Sequence, residues 1–222
     1  MKTDQIRKVP LFSTLSDEEF DSLQHVFMLR AYRRNQVIFL EEETGNYMYL
    51  VLAGKVKVAK SSSGGKETIL AIHKTGDFFG EMSLLDGKTA PATVTAMEDS
   101  KIISVSGPDF HKYLMHNENV LMQIINVLCA RLRQVWQTQS LSSSKADERI
   151  RTCIYELAQK HGVKDNYGTI IDLKITHQEL AEMVGTSRET VTRVIARLRK
   201  EGIVEVDQRR MTLLNPKALL TE

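Results

Sequence analysis

The chain has little of several features that define whole classes of protein. Its 222 residues include only two cysteines, Cys129 and Cys153, too few for a disulfide framework or a four-thiolate cluster. Sparing use of cysteine indicates a reducing compartment. No apolar run approaches the roughly 18 residues of a membrane-spanning helix, and the charged segment 1–20 lacks the apolar stretch of a signal peptide. We therefore expect a cytoplasmic globular protein with no membrane partner.

Excess charge is also nearly absent. The chain has 30 Lys and Arg against 28 Asp and Glu, a formal net charge of +2. The whole molecule is not a polycation, so any surface that binds nucleic acid must be local.

Sequence signatures of enzymes are missing as well. The sequence has no His-x-His pair, no Gly-x-Ser-x-Gly, no phosphate-binding loop and no His-Glu-x-x-His. A barrel enzyme of the cupin type would need metal ligands such as a His-x-His pair. We predict no catalytic residue and no metal site, and a cupin-like enzyme stays only as a remote alternative.

Hydrophobic residues follow three different periods along the chain. Residues 10–30 predict a short helical lead-in, with a capping box from Ser16 to Glu19. A period of two follows between about 35 and 106, in short runs separated by Gly-containing turns, which is typical of an antiparallel sandwich or barrel. These runs are Val37–Leu40, Tyr47–Leu52, Val56–Val58, Thr68–Ile72, Ala92–Ala96 and Lys101–Val105. The fold class predicted is α+β, with an antiparallel β-roll of the jelly-roll or cupin type over 1–108.

A helical period begins at about Pro108 and continues for over 25 residues. A helix of that length extends beyond a small sandwich domain, so the apolar side chains at its far end need another surface to pack against. We predict a dimerisation helix over 109–138 in a segment 109–144 that ends in a Ser-rich hinge. Packing of the helix on its own domain is the alternative. Cys129 on this helix could join two subunits, although a small buried apolar residue is the simpler interpretation.

The C-terminal region, 145–222, predicts a small α-rich domain with a winged helix-turn-helix. Thr176 and Glu179 form a capping box, Gly185 permits a turn, and Ser187 caps a second helix. A hairpin after Gly202 supplies the wing, with Arg209 and Arg210 at its tip.

The second helix has one apolar and one basic face. Val191, Val194, Ile195 and Leu198 share one arc of the helical wheel. Segment 186–200 has five basic residues and one acidic residue, a local net charge of +4. Arginine can donate two bonds to guanine and glutamate can accept from cytosine, so Arg188, Glu189 and Arg193 are predicted to contact base edges. A further set is suited to phosphate contacts: Gln178, Thr186, Ser187, Thr190 and Arg209.

The segments Ile175–Ala181 and Val184–Val194 closely resemble the CRP/FNR family of transcription regulators, and Phe79–Leu85 followed by Ala92–Val94 is similar to the family's effector-binding β-roll. This resemblance covers nearly the whole chain. It implies a homodimer on an inverted-repeat DNA operator with half-sites similar to TGTGA, controlled by a small effector in the β-roll. It also implies contact with RNA polymerase, for which surface loops near 61–66 and 162–168 are candidates.

The effector site departs from the cyclic AMP pattern. Family members that bind the nucleotide have Arg-Ser where this chain has Ala90 and Pro91, so the cyclic phosphate loses a charge-assisted partner. Lys88 is a candidate substitute cation, and Gln134 lies near the position where the resemblance implies contact with the adenine. The candidate effector residues are Phe79, Gly80, Glu81, Met82, Ser83, Lys88, Ala90, Pro91, Ala92 and Gln134.

Other interpretations of the β-roll remain open at this point. The Gly80-Glu81 pair could be only a structural turn, and the dimer could bind DNA without any ligand. A haem-sensing or redox-sensing regulator is a further alternative. The absence of cysteine from residues 1–30 excludes the family's iron–sulfur version. A haem version would need axial ligands, for which the candidates are His25, His73, His111 and His116.

Overall fold

A computed structural model of the chain describes residues 6–7, 9–140, 145–207 and 210–220. The chain divides into two compact units, Met1–Gln134 and Val135–Glu222. The division into 1–108, 109–144 and 145–222 stays a prediction.

The first unit begins with short helical pieces. Pro10–Phe12 and Gln24–Val26 are 3₁₀ turns on either side of helix α1, Asp17–Leu23. The predicted capping box is confirmed: Ser16 Oγ accepts from the amide of Glu19 at 3.2 Å, and Glu19 Oε2 accepts from the amide of Ser16 at 2.8 Å. The helical lead-in is shorter than predicted, because a strand starts at Met28.

Eight strands form two four-stranded antiparallel sheets. They are β1 Met28–Tyr32, β2 Val37–Phe39, β3 Tyr47–Ala53, β4 Lys55–Ser61, β5 Glu67–Lys74, β6 Phe78–Phe79, β7 Thr93–Ala96 and β8 Ser100–Ser106, with the short helix α2, Glu81–Asp86, after β6. The sheet orders are β1-β8-β3-β6 and β2-β7-β4-β5. The predicted antiparallel β-roll is therefore confirmed. Strand β1 escaped the sequence analysis because four of its five side chains are exposed and show no alternation.

The β1-β8-β3-β6 sheet has a hydrophobic core on each side. Tyr49, Val51 and Ile102 face residues of the second sheet such as Val56 and Val94. The alternate residues of the same strands point the other way and pack with the N-terminal helices; these include Met48, Leu50, Ile103 and Val105. The two-residue period thus produces two cores because side chains alternate across a strand.

The long helix starts later than predicted. Helical turns at Gly107–Asp109 and Phe110–Leu114 pack Phe110 and Leu114 into the β-roll core. Asn117 then ends this segment: its Oδ1 accepts from the amide of Val120 at 3.1 Å and its Nδ2 donates to Glu19 at 2.9 Å. Helix α3 extends over Glu118–Ser140. The long helix therefore begins at Glu118 rather than at 109, which corrects the start of the predicted range 109–138. Its role in dimerisation stays a prediction.

Within its described residues, the second unit contains three α-helices, a four-stranded sheet and a 3₁₀ helix at Pro216–Leu219. The helices are α4 Ala146–His161, α5 His177–Val184 and α6 Arg188–Lys200. The strands β9 Gly162–Lys164, β10 Thr169–Ile171, β11 Val204–Asp207 and β12 Arg210–Leu213 pair antiparallel in the order β11-β12-β10-β9. The predicted hairpin is present as β11 and β12, whereas β9 was not predicted.

Candidate nucleic-acid interface and effector pocket

Helices α5 and α6 form a helix-turn-helix whose ends are fixed by local hydrogen bonds. At the start of α5, Thr176 Oγ1 accepts from the amide of Glu179 at 3.1 Å, and Glu179 Oε2 accepts from the amide of Thr176 at 2.7 Å. Gly185 ends α5 with φ of +67°, a conformation that glycine adopts without a steric penalty. Ser187 Oγ then accepts from the amide of Thr190 at 3.2 Å and starts α6.

Helix α6 separates its two faces as predicted. Val191, Val194, Ile195 and Leu198 are buried. Arg188, Glu189 and Arg193 are exposed, and the side chains of Arg188 and Arg193 make no hydrogen bond or ion pair to any residue that the structure describes. The buried face orients α6, which leaves both guanidinium groups available to a ligand.

Charge on this exposed face is partly fixed by neighbouring groups. Hydrogen bonds from its own backbone amide and from Ser187 lower the pKa of Glu189, so this carboxylate is an acceptor at neutral pH. Arg197 pairs with Asp147 and lies 3.6 Å from Glu201. The basic face therefore has one unpaired cation fewer than predicted. The pair was not predicted because Asp147 lies 50 residues from Arg197 in the sequence.

The predicted phosphate-contact residues serve mainly in local structure. The Gln178 amide donates to Glu182 at 2.8 Å, and the hydroxyls of Ser187 and Thr190 lie 3.1 Å apart. Thr186 is half-buried and its amide donates to Ala181 O at 3.0 Å. Arg209 lies outside the described residues. Whether any of them contacts phosphate stays a prediction.

Sequence analysis missed His177, the first residue of α5. Its Nδ1 lies 2.9 Å from Thr192 Oγ1 on α6. It lines a cleft of about 430 Å³ together with Gln178 and Arg188 on the helices and Val206 and Met211 on the hairpin. A histidine at the first position of a capped helix was the available signal.

In the β-roll, a tight turn joins β6 to α2. Gly80 has φ of +81°, and a Cβ on it would lie 2.8 Å from Tyr47 O and 3.0 Å from the Tyr49 ring. Glycine is therefore required both by the backbone and by the close approach of β3. The next residue, Glu81, is 1% exposed.

Glu81 is paired with a side chain that sequence analysis did not single out. Arg131 on α3 donates to Glu81 Oε1 at 2.7 Å and to Phe78 O, and its guanidinium carbon lies 5.0 Å from the centroid of the Phe78 ring. Burial raises the pKa of Glu81 and the Arg131 charge opposes this. Glu81 Oε2 is buried and has no hydrogen-bond partner among the described residues.

A cavity of about 150 Å³ lies beside this turn. It is lined by Gly80, Ser83 and Ala90 of the predicted effector set, together with aromatic side chains that include Phe39 and Tyr49. Among the described residues, its one charged lining residue is Glu43, and no cation lines it. The segment is tied down, since Ala90 N donates to Glu43 O and Glu42 N donates to Ala90 O, both at 2.8 Å.

The other predicted effector residues do not line this cavity. Phe79 and Ala92 are buried, and the Phe79 ring stacks on Tyr49 at 5.1 Å. Met82, Lys88 and Pro91 are exposed, and Gln134 is exposed at the end of the first unit. These residues were grouped by resemblance to the family's effector site, but the alternation along strand and turn directs them to different surfaces. The pocket is thus smaller than the predicted set and draws on β2 and β3.

The outer face of α3 is apolar in addition to its inner face. Val120 and Ile124 are buried in the β-roll core. Met122, Ile125 and Leu132 are 53%, 41% and 48% exposed, and Cys129 is exposed between them in the single chain. The spacing 122, 125, 129, 132 alternates three and four residues, the pattern of a coiled-coil seam.

Two of the haem candidates pack against aromatic rings. His73 is buried and stacks on Phe79 at 5.8 Å, and His25 packs against Tyr113 at 5.0 Å. Across the described ranges, no group of three or more His, Cys, Asp or Glu side chains could hold a metal ion. In the same part of the chain, no helix is both long and apolar enough to span a membrane.

Comparison with known proteins decides the family. Residues 29–117 match the model of the cyclic nucleotide-binding domain and residues 148–222 match that of the Crp-like helix-turn-helix domain. The cyclic AMP receptor protein of Thermus thermophilus is 33% identical over 198 residues, which cover 89% of this chain and 88% of the relative. The chain belongs to the CRP/FNR family of transcriptional regulators.

Solved structures of the family have the same fold. A mutant of CooA from Carboxydothermus hydrogenoformans gives a TM-score of 0.80 at 25% identity, over 96% of this chain and 94% of that one. FixK2 from Bradyrhizobium japonicum gives 0.77 at 25% identity, over 87% and 96%. The predicted fold class is confirmed: an α+β chain with an antiparallel β-roll and a C-terminal helix-turn-helix. As a member of a family of transcriptional regulators, this CRP/FNR protein is not an enzyme, as predicted.

Proposed function

We propose that this CRP/FNR regulator binds an inverted-repeat operator as a homodimer and reads half-sites similar to TGTGA with helix α6. A small effector in the β-roll controls its affinity for the operator. Arg188 and Arg193 would each donate to a guanine, and Glu189 would accept from a cytosine.

The observation that carries this proposal is the exposed face of α6. Arg188 and Arg193 are exposed and form no ion pair with the described residues, while the opposite face is buried. Glu189 is held ionised by hydrogen bonds near the helix start. The first turn of a recognition helix is the part that meets base edges in the major groove.

Base reading is tested by comparing two arginines on one helix. Arg188→Ala should weaken operator binding by about 1–3 kcal/mol and relax the preference at one guanine. Arg199 is exposed in the last turn of α6. If Arg199→Ala has any effect, it should lower the affinity for every DNA sequence by the same factor. Fluorescence anisotropy against operators with single base changes distinguishes the two. An Arg188→Ala loss that is the same for every sequence would rule out its base-reading role.

The dimer is supported by the second apolar face of α3. A helix that only covered its own domain would place polar side chains on the outer face, whereas Met122, Ile125 and Leu132 are exposed there at seam spacing. The occupant proposed is the same helix of a second copy, since an isologous contact brings identical faces together. Twofold dimers also match the twofold symmetry of an inverted-repeat operator.

Leu132→Glu tests the dimer because it places two carboxylates opposite each other in the seam. We expect a monomer by analytical ultracentrifugation, with a loss of operator binding. Ala130→Glu, exposed on the same helix but outside the seam, should leave the dimer intact. Mild thiol oxidation of the wild type should cross-link Cys129 to its counterpart, since facing seam positions come within disulfide reach, and Cys129→Ser should prevent this. A Leu132→Glu dimer would contradict the proposal.

The match of residues 29–117 to the cyclic nucleotide-binding domain supports an effector in the β-roll. The residues present do not fit the cyclic phosphate: Ala90 and Pro91 supply no cation and Pro91 has no amide hydrogen. Arg131 is the guanidinium beside the turn, but it is already held by Glu81 and Phe78. We therefore propose an effector that does not depend on a phosphate-binding arginine at position 90.

A further inference from the structure

His177 connects the two helices of the helix-turn-helix. Thr192 Oγ1 lies 2.9 Å from His177 Nδ1 and 2.9 Å from the carbonyl oxygen of Arg188, and it forms a hydrogen bond with each. The carbonyl of Arg188 can only accept, so the single hydroxyl hydrogen of Thr192 goes there. His177 Nδ1 must then donate to Thr192.

This hydrogen-bond chain fixes the tautomer of the neutral ring. With hydrogen on Nδ1, the free lone pair of His177 lies on Nε2. Nε2 has no hydrogen-bond partner among the described residues. The next proton that the ring takes up therefore goes to Nε2 and converts it from an acceptor into a charged donor.

We propose that His177 is a proton-linked DNA contact, with Nε2–H of the charged ring donating to a phosphodiester oxygen while Nδ1–H holds Thr192. The inference rests on the proposed DNA-binding role of α5 and α6. His177 lines the same cleft as Arg188, and it begins the first helix of the motif, which crosses the DNA backbone.

The charged groups around His177 favour the neutral ring in the absence of DNA. Burial of the ring, and then the Arg188 cation on α6, which opposes a second positive charge, lower the pKa of His177 below 6.5. On its own helix, the Glu179 carboxylate is engaged by Thr176. The hairpin presents the apolar Val206 and Met211 to this cleft, and Asp207 and Arg210, adjacent on its strands, have opposite charges.

A DNA phosphate next to the ring reverses this balance, because a nearby opposite charge favours the charged form. Bound protein then takes up a proton that free protein lacks, between the lower pKa of the free state and the higher pKa of the complex. DNA affinity must fall as pH rises through that window. The effect does not depend on base sequence, because phosphate contacts carry no sequence information.

Anisotropy titrations of full-length protein against a labelled duplex test this at pH 6.0 and 7.5, with ionic strength held constant because phosphate contacts depend on salt. Wild type should bind about threefold to tenfold more tightly at pH 6.0, since one linked proton changes affinity by at most tenfold per pH unit. A scrambled duplex should show the same ratio.

Three variants separate charge from structure. His177→Gln keeps a donor but cannot titrate, so it should lose the pH dependence, whereas His177→Arg should bind tightly at both pH values. His116→Gln, at an exposed histidine of the β-roll unit, should keep the wild-type ratio. A flat wild-type profile, or a His177→Gln profile like that of wild type, overturns the proposal. Failure to bind any duplex at any pH would instead contradict the DNA-binding role.

Discussion

In the winged-helix unit, the side chains proposed to read DNA stand on the exposed face of one helix, whereas in the β-roll unit Glu81 and Arg131, beside the turn that joins β6 to α2, are paired with each other. Arg188 and Arg193 depend on the protein only for the orientation of α6. Glu81 depends on Arg131, fifty residues away. Function in the winged-helix unit should therefore be sensitive to packing beneath the helix, and function in the β-roll unit to the loss of single polar partners.

The largest effect is expected from the packing beneath α6. Leu198 is 0% exposed, so Leu198→Ala should lower the free energy of unfolding by about 2–5 kcal/mol, as large-to-small changes in cores do. Operator affinity should fall as well, because α6 loses its fixed orientation. Chemical denaturation and anisotropy measure the two effects.

Lys200→Ala is the matched control, since Lys200 is exposed at the end of the same helix, and its effect on stability should stay within about 0.5 kcal/mol. If Leu198→Ala destabilised the protein but left operator affinity unchanged, the dependence of DNA reading on this packing would be wrong.

The next effect tests the pair in the β-roll. Arg131→Met should lower the free energy of unfolding by about 2–4 kcal/mol at pH 7.5, because it leaves Glu81 buried without its cation. This range is at the lower end for buried pairs, since the Arg131 side chain is 31% exposed. Arg133→Met, exposed on the same helix, is the control.

The pH dependence of this variant has a defined sign. Burial raises the pKa of Glu81, and loss of Arg131 raises it further, so the folded state holds its proton to higher pH than the unfolded state. Stability must then fall as pH rises above the ordinary value of 4.5, and the variant should lose less at pH 5 than at pH 7.5. Adding Glu81→Gln should restore part of the stability. An equal loss at both pH values would show that Arg131 acts through packing alone.

The sequence reveals features that depend on neighbouring residues better than features that depend on distant ones. The capping boxes at Ser16 and Thr176, the turn at Gly185 and the faces of α6 were all predicted, because each depends on residues within a few positions. The start of α3 was wrong by nine residues, since the apolar period continues through Leu114 while Asn117 ends the preceding turn through Glu19, far away in the sequence.

The effector set shows the same limit. Gly80, Ser83 and Ala90 lie at the cavity, but its aromatic wall comes from β2 and β3, whose pairing no local pattern specifies. The Arg131–Glu81 and Arg197–Asp147 pairs also join residues that are distant in sequence. The buried and exposed faces of α6 were therefore predicted from the sequence, and the lining of the cavity only in part. The DNA-reading role of α6 stays a prediction.

The smallest effect is expected from adding a guanidinium group to the effector cavity, and it appears only with ligand present. The β-roll would then resemble the recognition helix in having one unpaired guanidinium that faces its ligand. Ala90 lines the cavity, so in the double variant Ala90→Arg, Pro91→Ser the new side chain starts at its wall and residue 91 regains an amide donor. Cyclic AMP should bind about 10- to 100-fold more tightly by calorimetry, the value of one charge-assisted contact of about 1.5–3 kcal/mol. Lys88→Ala should leave the affinity for cyclic AMP unchanged in the wild type and in the double variant, because Lys88 is exposed outside the cavity.

If the double variant gained no affinity for cyclic AMP, the missing arginine would not be what excludes the nucleotide. The cavity shape set by Phe39 and Tyr49 would be the cause instead. If the wild type bound cyclic AMP tightly and Lys88→Ala abolished this binding, Lys88 would already neutralise the phosphate. The contrast between a winged-helix unit with unpaired cations for its ligand and a β-roll unit without one would then no longer hold.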